Sequence, residues 1–190
     1  MLKSIQKGFT LIELIIVITI LVLLGVVVIV LIDPAEILAQ SRDSQRISDL
    51  ASLKGATQLV LSAGNPTTGT CGTNHSATAT STGGILYSSA STTITNLQAA
   101  NGNGWIPINY TATSTPTGRA LTSLPTDPKN TESDGLYYRW ACVRSGGIYS
   151  YEMDAKLESA KYATEDNKAS KDGGNNAGRY ETGNNLDVLQ

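Results

Sequence analysis

Charge is scarce in this chain. Only 16% of its 190 residues are Asp, Glu, Lys or Arg, and Leu14 to Ile32 contains none. No basic block occurs and the formal net charge is −2, which argues against a nucleic-acid groove. Histidine occurs once, as His75. No second His or Cys stands at ligand spacing beside it, so it reads as a loop residue rather than a metal ligand or catalytic base. There is no G-x-S-x-G, no H-E-x-x-H and no phosphate loop, and hence no recognisable hydrolase, zinc-protease or nucleotide site. The two cysteines, Cys71 and Cys142, are too far apart for a CxxC zinc pair. Aromatic residues make up 6%. Gly, Ser, Thr and Asn are abundant instead, a composition that suits a loop-rich extracellular surface.

What is present begins at the N-terminus. Lys3 and Lys7 precede an apolar run that extends to Ile32 and holds one acid, Glu13. The uncharged stretch from Leu14 rises about 28 Å as a helix, close to the hydrocarbon thickness of a bilayer. It is about twice the apolar core of a secretory signal, and no A-x-A site follows it. The two lysines place the N-terminus in the cytoplasm and send the rest across. About 150 residues remain, enough for one domain with a core.

Lys7-Gly8-Phe9-Thr10-Leu11-Ile12-Glu13-Leu14 resembles the leader and N-methylation motif of type IV pilins and of type II secretion pseudopilins. Asp33-Pro34-Ala35-Glu36, and Arg42 to Leu50, are also similar to pilin-like chains. Many relatives carry a Gly-Ile-Leu-Ala segment and a helix proline nearer the cut, whereas Gly25 and Pro34 lie later here. The resemblance implies an α+β fold, a long N-terminal helix packed on a C-terminal antiparallel sheet. It divides the chain into a leader (1–8), a membrane and assembly helix (9–32), an amphipathic helical half (33–63) and a β-rich head (64–190). It further implies cleavage between Gly8 and Phe9 by a prepilin peptidase, which also methylates the Phe9 amine. The chain would then pass from single-pass precursor in the bacterial inner membrane to extracellular filament. Its partners would be membrane lipid, the inner-membrane assembly platform and copies of itself. Loss of Lys3 and Lys7 leaves 12 basic against 16 acidic residues of the original 14 and 16.

Glu13 requires a partner, because a carboxylate at bilayer centre costs about 2.5–3.5 kcal/mol on insertion scales. Periodicity leaves two candidates: its own helix N-terminus, four residues after Phe9, and the Phe9 amine of a neighbouring subunit. A buried pair between subunits sets register more than stability. The pilin resemblance favours that pair.

Asp33-Pro34-Ala35-Glu36 reads as a helix start, with Asp33 as N-cap, Pro34 in the first turn and Glu36 completing a capping box. Pro34 cannot donate to Val30, so Asp33-Pro34 marks a helix joint or a gentle kink. The helix continues over 35–61 with Ile47, Leu50, Ala51, Leu53, Ala56, Val60 and Leu61 on its apolar side. Arg42, Asp43, Arg46 and Asp49 are expected on the wetter side. Gly64-Asn65-Pro66 is expected to end it.

The tract from Thr67 to Thr95 is rich in Ser, Thr, Gly and Ala, a surface loop or short strands. Asn74-His75-Ser76 and Asn109-Tyr110-Thr111 fit the N-x-S/T glycan pattern, which is common by chance. Trp105 to Tyr110 reads as an edge strand limited by Pro107. Leu136–Val143, a Ser145-Gly146-Gly147 turn and Ile148–Glu158 read as a hairpin. In its second strand Tyr149, Tyr151, Met153, Ala155 and Leu157 form the buried face. Ser150, Glu152, Asp154, Lys156 and Glu158 form the wet one, with Glu152 and Asp154 serving solubility. A helix across such a sheet is α+β layer packing.

Export and an even cysteine count favour a Cys71–Cys142 disulfide, worth about 4 kcal/mol in the chain-entropy account. The tail from Glu165 offers oxygen ligands at Asp166, Asn167, Asp172, Asn175, Asn176 and Glu181, without EF-hand spacing. Of these, Asp166, Asp172 and Asn175 are the candidate calcium ligands; major pseudopilins as a family bind calcium in a C-terminal loop, but no residue here matches that motif closely enough to carry over. Three classes of function result: a pilin, a pseudopilin, and a membrane-tethered binding protein or enzyme. A binding protein requires exposed aromatics, which a sequence does not reveal, and an enzyme a reactive constellation, which this sequence does not display.

Overall fold

The computed structural model describes residues 8–63, 87–88, 95–111, 119–145 and 148–189. The chain forms two compact units, Met1–Leu38 and Ala39–Gln190. His75, Cys71, the Asn74-His75-Ser76 pattern, the Gly64-Asn65-Pro66 helix stop and most of the Ser/Thr-rich tract lie outside the described residues.

Within the first unit, helix α1 runs from Leu11 to Leu31. Its described side chains are exposed all round and, apart from Glu13 and Thr19, apolar. A helix with no polar face is stable only against lipid or other apolar helices. The one polar side chain past its first turn, Thr19, donates its hydroxyl to the Ile15 carbonyl at 2.7 Å. At Ile32 the backbone turns extended (φ −97°, ψ 105°). The next helix, α2, starts at Pro34 and runs to Ser62. Asp33 Oδ1 accepts from the amides of Ala35 and Glu36 at 3.0 and 3.3 Å, the N-cap that its side chain suits.

In the second unit, α2 buries Ala39, Asp43, Arg46, Leu50, Leu53, Thr57 and Val60. Those steps of four and three trace one helix face. The apolar part of that stripe packs on a four-stranded antiparallel sheet in the order β1-β2-β3-β4. The strands are β1 Tyr87–Ser88, β2 Tyr138–Ser145, β3 Ile148–Ala155 and β4 Tyr180–Gly183. An α+β architecture is thus present, with the helix on one face of the sheet. The β2–β3 register sets Trp140 opposite Met153 and Cys142 opposite Tyr151. Because side chains alternate along a strand, Tyr138, Trp140, Cys142, Tyr151, Met153 and Ala155 all face Leu50, Leu53, Ala56 and Val60 of α2.

The 105–110 segment is no strand. It contributes Trp105, Ile106, Ile108 and Tyr110 to the same core, held by single bridges at Ala99–Ser123 and Asn101–Asn109. Pro107 withholds an amide in its middle, and the Trp105 indole donates to the Pro125 carbonyl at 2.8 Å. Tyr110 is buried, its hydroxyl 2.9 Å from that of Thr57 on α2.

The opposite face of the sheet differs from the expectation of a wet surface. Glu152 and Asp154 are both 0% exposed. Val188 and Leu189 of the C-terminal segment lie against Ala141 and Val143 on that side. Asn184 fixes the path of this segment. Its amide group accepts from Tyr151 N and donates to the Tyr149 carbonyl, both at 2.7 Å, and so continues the β4 pairing with a side chain. Gly183 precedes it because a Cβ there would stand 2.2 Å from the Tyr151 carbonyl oxygen.

Candidate functional site: the processing segment and the anchored helix

Gly8, Phe9 and Thr10 lie just before α1 in non-helical backbone, and Phe9 is 83% exposed. Thr10 is the N-cap, with extended dihedrals (φ −80°, ψ 151°). Its hydroxyl accepts from Glu13 N at 3.3 Å, and Glu13 Oε2 accepts from Thr10 N at 3.4 Å. This reciprocal capping box satisfies two of the amides that a helix start leaves open. The Gly8–Phe9 peptide bond therefore sits exposed, immediately outside a capped helix. Cutting it creates an ammonium at the positive end of the helix dipole, an unfavourable place for a cation. Glu13 is the acid stationed in that first turn. In this chain it is engaged by Thr10, the local one of its two candidate partners.

At Asp33-Pro34 the geometry is a break between two helices with Asp33 capping the second. Cys142, on β2, is disulfide-bonded. Cys71, the only other cysteine, lies outside the described residues.

The polar residues of α2 form an arrangement that their pattern in the sequence did not suggest. Asp43 and Arg46, expected on the wet side, are both 0% exposed. Arg46 donates from Nε and Nη2 to the two carboxylate oxygens of Asp127, at 2.6 and 2.9 Å. Its Nη1 reaches Asp43 at 2.7 Å and Glu158 at 2.8 Å. Asp43 in turn accepts from Ser159 N and Oγ at 2.8 and 2.6 Å. Arg42 and Lys129 close on Glu158 at 2.6 and 2.5 Å. Burial alone would raise the Glu158 carboxyl, but hydrogen bonds from Arg42, Lys129 and Arg46 overcome it and hold the group at about 2. Burial and the Arg46 fork oppose each other at Asp127 as well, and the fork wins, leaving its carboxyl below the usual range. Asp49 accepts from the Tyr138 hydroxyl at 2.8 Å. The cluster binds the first turns of α2's head-side half to the loop before β2 and to the segment after β3. One signal was available: positions 43 and 46 continue the buried spacing of Leu50, Leu53, Thr57 and Val60 back toward the N-terminus.

Each of the three candidate calcium ligands makes its own contacts within the tail. Asp172 spends its two oxygens on the amides of Gly174 and Glu181, at 2.9 and 2.7 Å. The Asp166 carbonyl accepts from Lys171 Nζ at 2.5 Å. Asn175 faces Asp187 at 3.5 Å. Asp166 and Asp172 share a cavity of about 520 Å³ with Lys54, Lys168 and Lys171. Among the described residues no three His, Cys, Asp or Glu side chains group as metal ligands.

An apolar helix exposed along its described length and a capped helix start behind an accessible Gly-Phe bond fit a membrane-anchored precursor. Residues 3–31 match the family model of the prokaryotic N-terminal methylation motif. The N-terminus thus has the form of a class III signal peptide, as carried by type IV pilin-like prepilins. No curated protein and no solved structure matches the chain.

Proposed function

We propose that this chain is a pilin: a structural subunit cut between Gly8 and Phe9, methylated on the Phe9 amine, and polymerised through α1 into an extracellular type IV filament. The observation that carries this reading is the combination of the matched motif with Glu13 at the first turn of an otherwise apolar, fully exposed α1. A helix of that kind stays in lipid until other apolar helices replace the lipid. Cleavage supplies the cation for Glu13, since the Phe9 amine of one subunit can take the carboxylate of the next in place of Thr10. Exchanging a local cap for a buried intersubunit pair would set the register of addition more than it would add stability. In this reading the head serves as the outer surface, and no catalytic role is assigned to it.

The chemistry of maturation is the same for a pseudopilin of a type II secretion system, which differs in whether long surface filaments form. Sheared surface material tests both points. Mass spectrometry of the filaments is expected to find this chain beginning at N-methylated Phe9. Processed chain confined to the envelope, with none in sheared filaments, would transfer the assignment to a pseudopilin. An unprocessed N-terminus would overturn the maturation scheme itself.

A further inference from the structure

Two features of the head carry charge that finds no counter-charge within the chain. The first is a turn ahead of β2. Thr131 and Leu136 exchange backbone hydrogen bonds at 2.9 and 3.0 Å, and between them Gly135 N donates to the Glu132 carbonyl at 3.0 Å. Gly135 has a φ of 71°, the left-handed conformation that closes such loops. Two long side chains brace the turn: Lys156 Nζ donates to the Asp134 carbonyl and Arg179 Nη1 to the Gly135 carbonyl, both at 2.9 Å. Glu132, Ser133 and Asp134 are exposed at its tip. Among the described residues neither acid makes an ion pair. The turn is a braced knob with two acids on it.

The second is the cavity of about 520 Å³ bordered by α2, the 166–172 segment and β4, a volume in the range of ligand pockets. Lys54 of α2 lines it with Lys168 and Lys171 of the tail, Tyr180 and Thr182. Among the described residues none of these three ammonium groups makes an ion pair. Lys171 donates to the Asp166 carbonyl at 2.5 Å, and Lys168 lies 5.4 Å from the centre of the Tyr162 ring. The acids at the cavity offer little in return. Asp172 gives its two oxygens to the amides of Gly174 and Glu181. Glu181 holds Asn176 N with one oxygen and keeps the other buried. Asp166 is the remaining counter-charge to three lysines.

We propose that the turn bearing Glu132 and Asp134 on one copy of the chain seats in the cavity lined by Lys54, Lys168 and Lys171 on the next. This rests on the reading of the chain as a pilin and names the contact between heads in that filament. Charge selects the occupant, because the acidic knob and the lysine-lined hollow belong to the same chain and complement each other. The knob is braced before it docks, so little ordering entropy is lost on contact. Knob and hollow are different surfaces, so each copy presents one of each. A contact of this kind repeats from copy to copy along an open filament, where a two-fold contact would close as a dimer. In such a filament α1 supplies the apolar adhesion and the heads acquire a fixed neighbour.

Crosslinking in sheared filaments tests the contact. Ser133 on the knob and Ser170, between the two tail lysines, are exposed, and Cys142 is already disulfide-bonded. Full chain carrying both Ser133→Cys and Ser170→Cys, treated in the filament with a short bismaleimide, is expected to give a ladder of dimers and higher multimers. Each single variant is expected to stay monomeric. Charge exchange gives a second readout. Glu132→Lys with Asp134→Lys is expected to lower filament yield about tenfold or more, as is Lys168→Glu with Lys171→Glu, because like charges then face each other. The four changes together are expected to restore the yield, and cleavage between Gly8 and Phe9 is expected to proceed in every variant. Filaments that give no ladder would overturn the contact and leave the pilin reading standing, as would a fourfold variant no better than its halves. Wild-type chain that is processed but absent from filaments would remove the pilin reading, and this contact with it.

Discussion

Arg46 and Asp127 lie 81 positions apart and meet as a two-point fork, Nε to Oδ2 at 2.6 Å and Nη2 to Oδ1 at 2.9 Å. Neither side chain is exposed to solvent. The guanidinium has a third and fourth acceptor in Asp43 and Glu158. Burial opposes its charge, but these acceptors outweigh burial and raise its basicity further. Truncating it leaves the carboxylates of Asp43 and Asp127 buried without their cation. Arg46→Met is therefore expected to destabilise the head by about 3–5 kcal/mol. Denaturant unfolding of the full chain in detergent, followed by Trp fluorescence, measures it; a decrease below about 1 kcal/mol would show that the network is not what anchors α2.

Acid is expected to act on the same cluster. Glu158 is held at about 2, below its ordinary 4.5, so its stabilising contribution is present above about 4.5 and is lost as pH falls toward 2. Asp127, also lowered, acts in the same direction. The melting temperature is expected to drop across that window. Glu158→Gln is expected to start lower at neutral pH and to show a shallower acid slope. Parallel curves for the two proteins would rule Glu158 out as the titrating group.

At the N-terminus two variants separate capping from charge. Glu13→Gln retains a side-chain oxygen that can accept from Thr10 N, as Oε2 does now, but removes the charge. Glu13→Val removes both. Both are expected to insert in the membrane, and neither to give normal filament yield, because the proposed pairing with the Phe9 amine would be ionic. Assembly by the Gln variant alone would make the cap the functional element, and assembly by both would sink the register role of Glu13.

Asn184→Ala tests the side-chain continuation of β4. It leaves Tyr151 N and the Tyr149 carbonyl without the bonds they make now at 2.7 Å. A destabilisation of about 1–3 kcal/mol is expected, concentrated in the C-terminal segment. Proteolysis of that segment, compared with global unfolding, locates it; equal effects on both would show that Asn184 holds the head as a whole.

Much of the chain was legible from local pattern. The run without charge, the lysines before it and the Gly-Phe…Glu spacing carry the N-terminal methylation motif that the family model matches over residues 3–31. Asp33-Pro34 has the form of a helix start, and α2 begins at Pro34. The alternation from Tyr149 to Ala155 gives the core face of β3, and the 3–4 spacing of Leu50, Leu53 and Val60 gives the face of α2 that packs on it. These features were readable because periodicity is local: it depends on the geometry of one strand or helix.

Polarity proved a poor proxy for exposure elsewhere. Asp43, Arg46, Glu152 and Asp154 occupy positions that belong to buried faces or to a face later covered, and only their chemistry suggested water. Asp127, Glu158 and Ser159 arrive at α2 from distant segments. Val188 and Leu189 arrive at Glu152 from the far end of the chain. The sequence by itself determined that α1 must lie in an apolar medium, since no face of it is polar, and that an acid must wait near its start. Only the tertiary structure decided which other charges leave water. Burying a charge depends on the partners that reach it, and those partners lie tens of residues away, beyond the range of any local pattern.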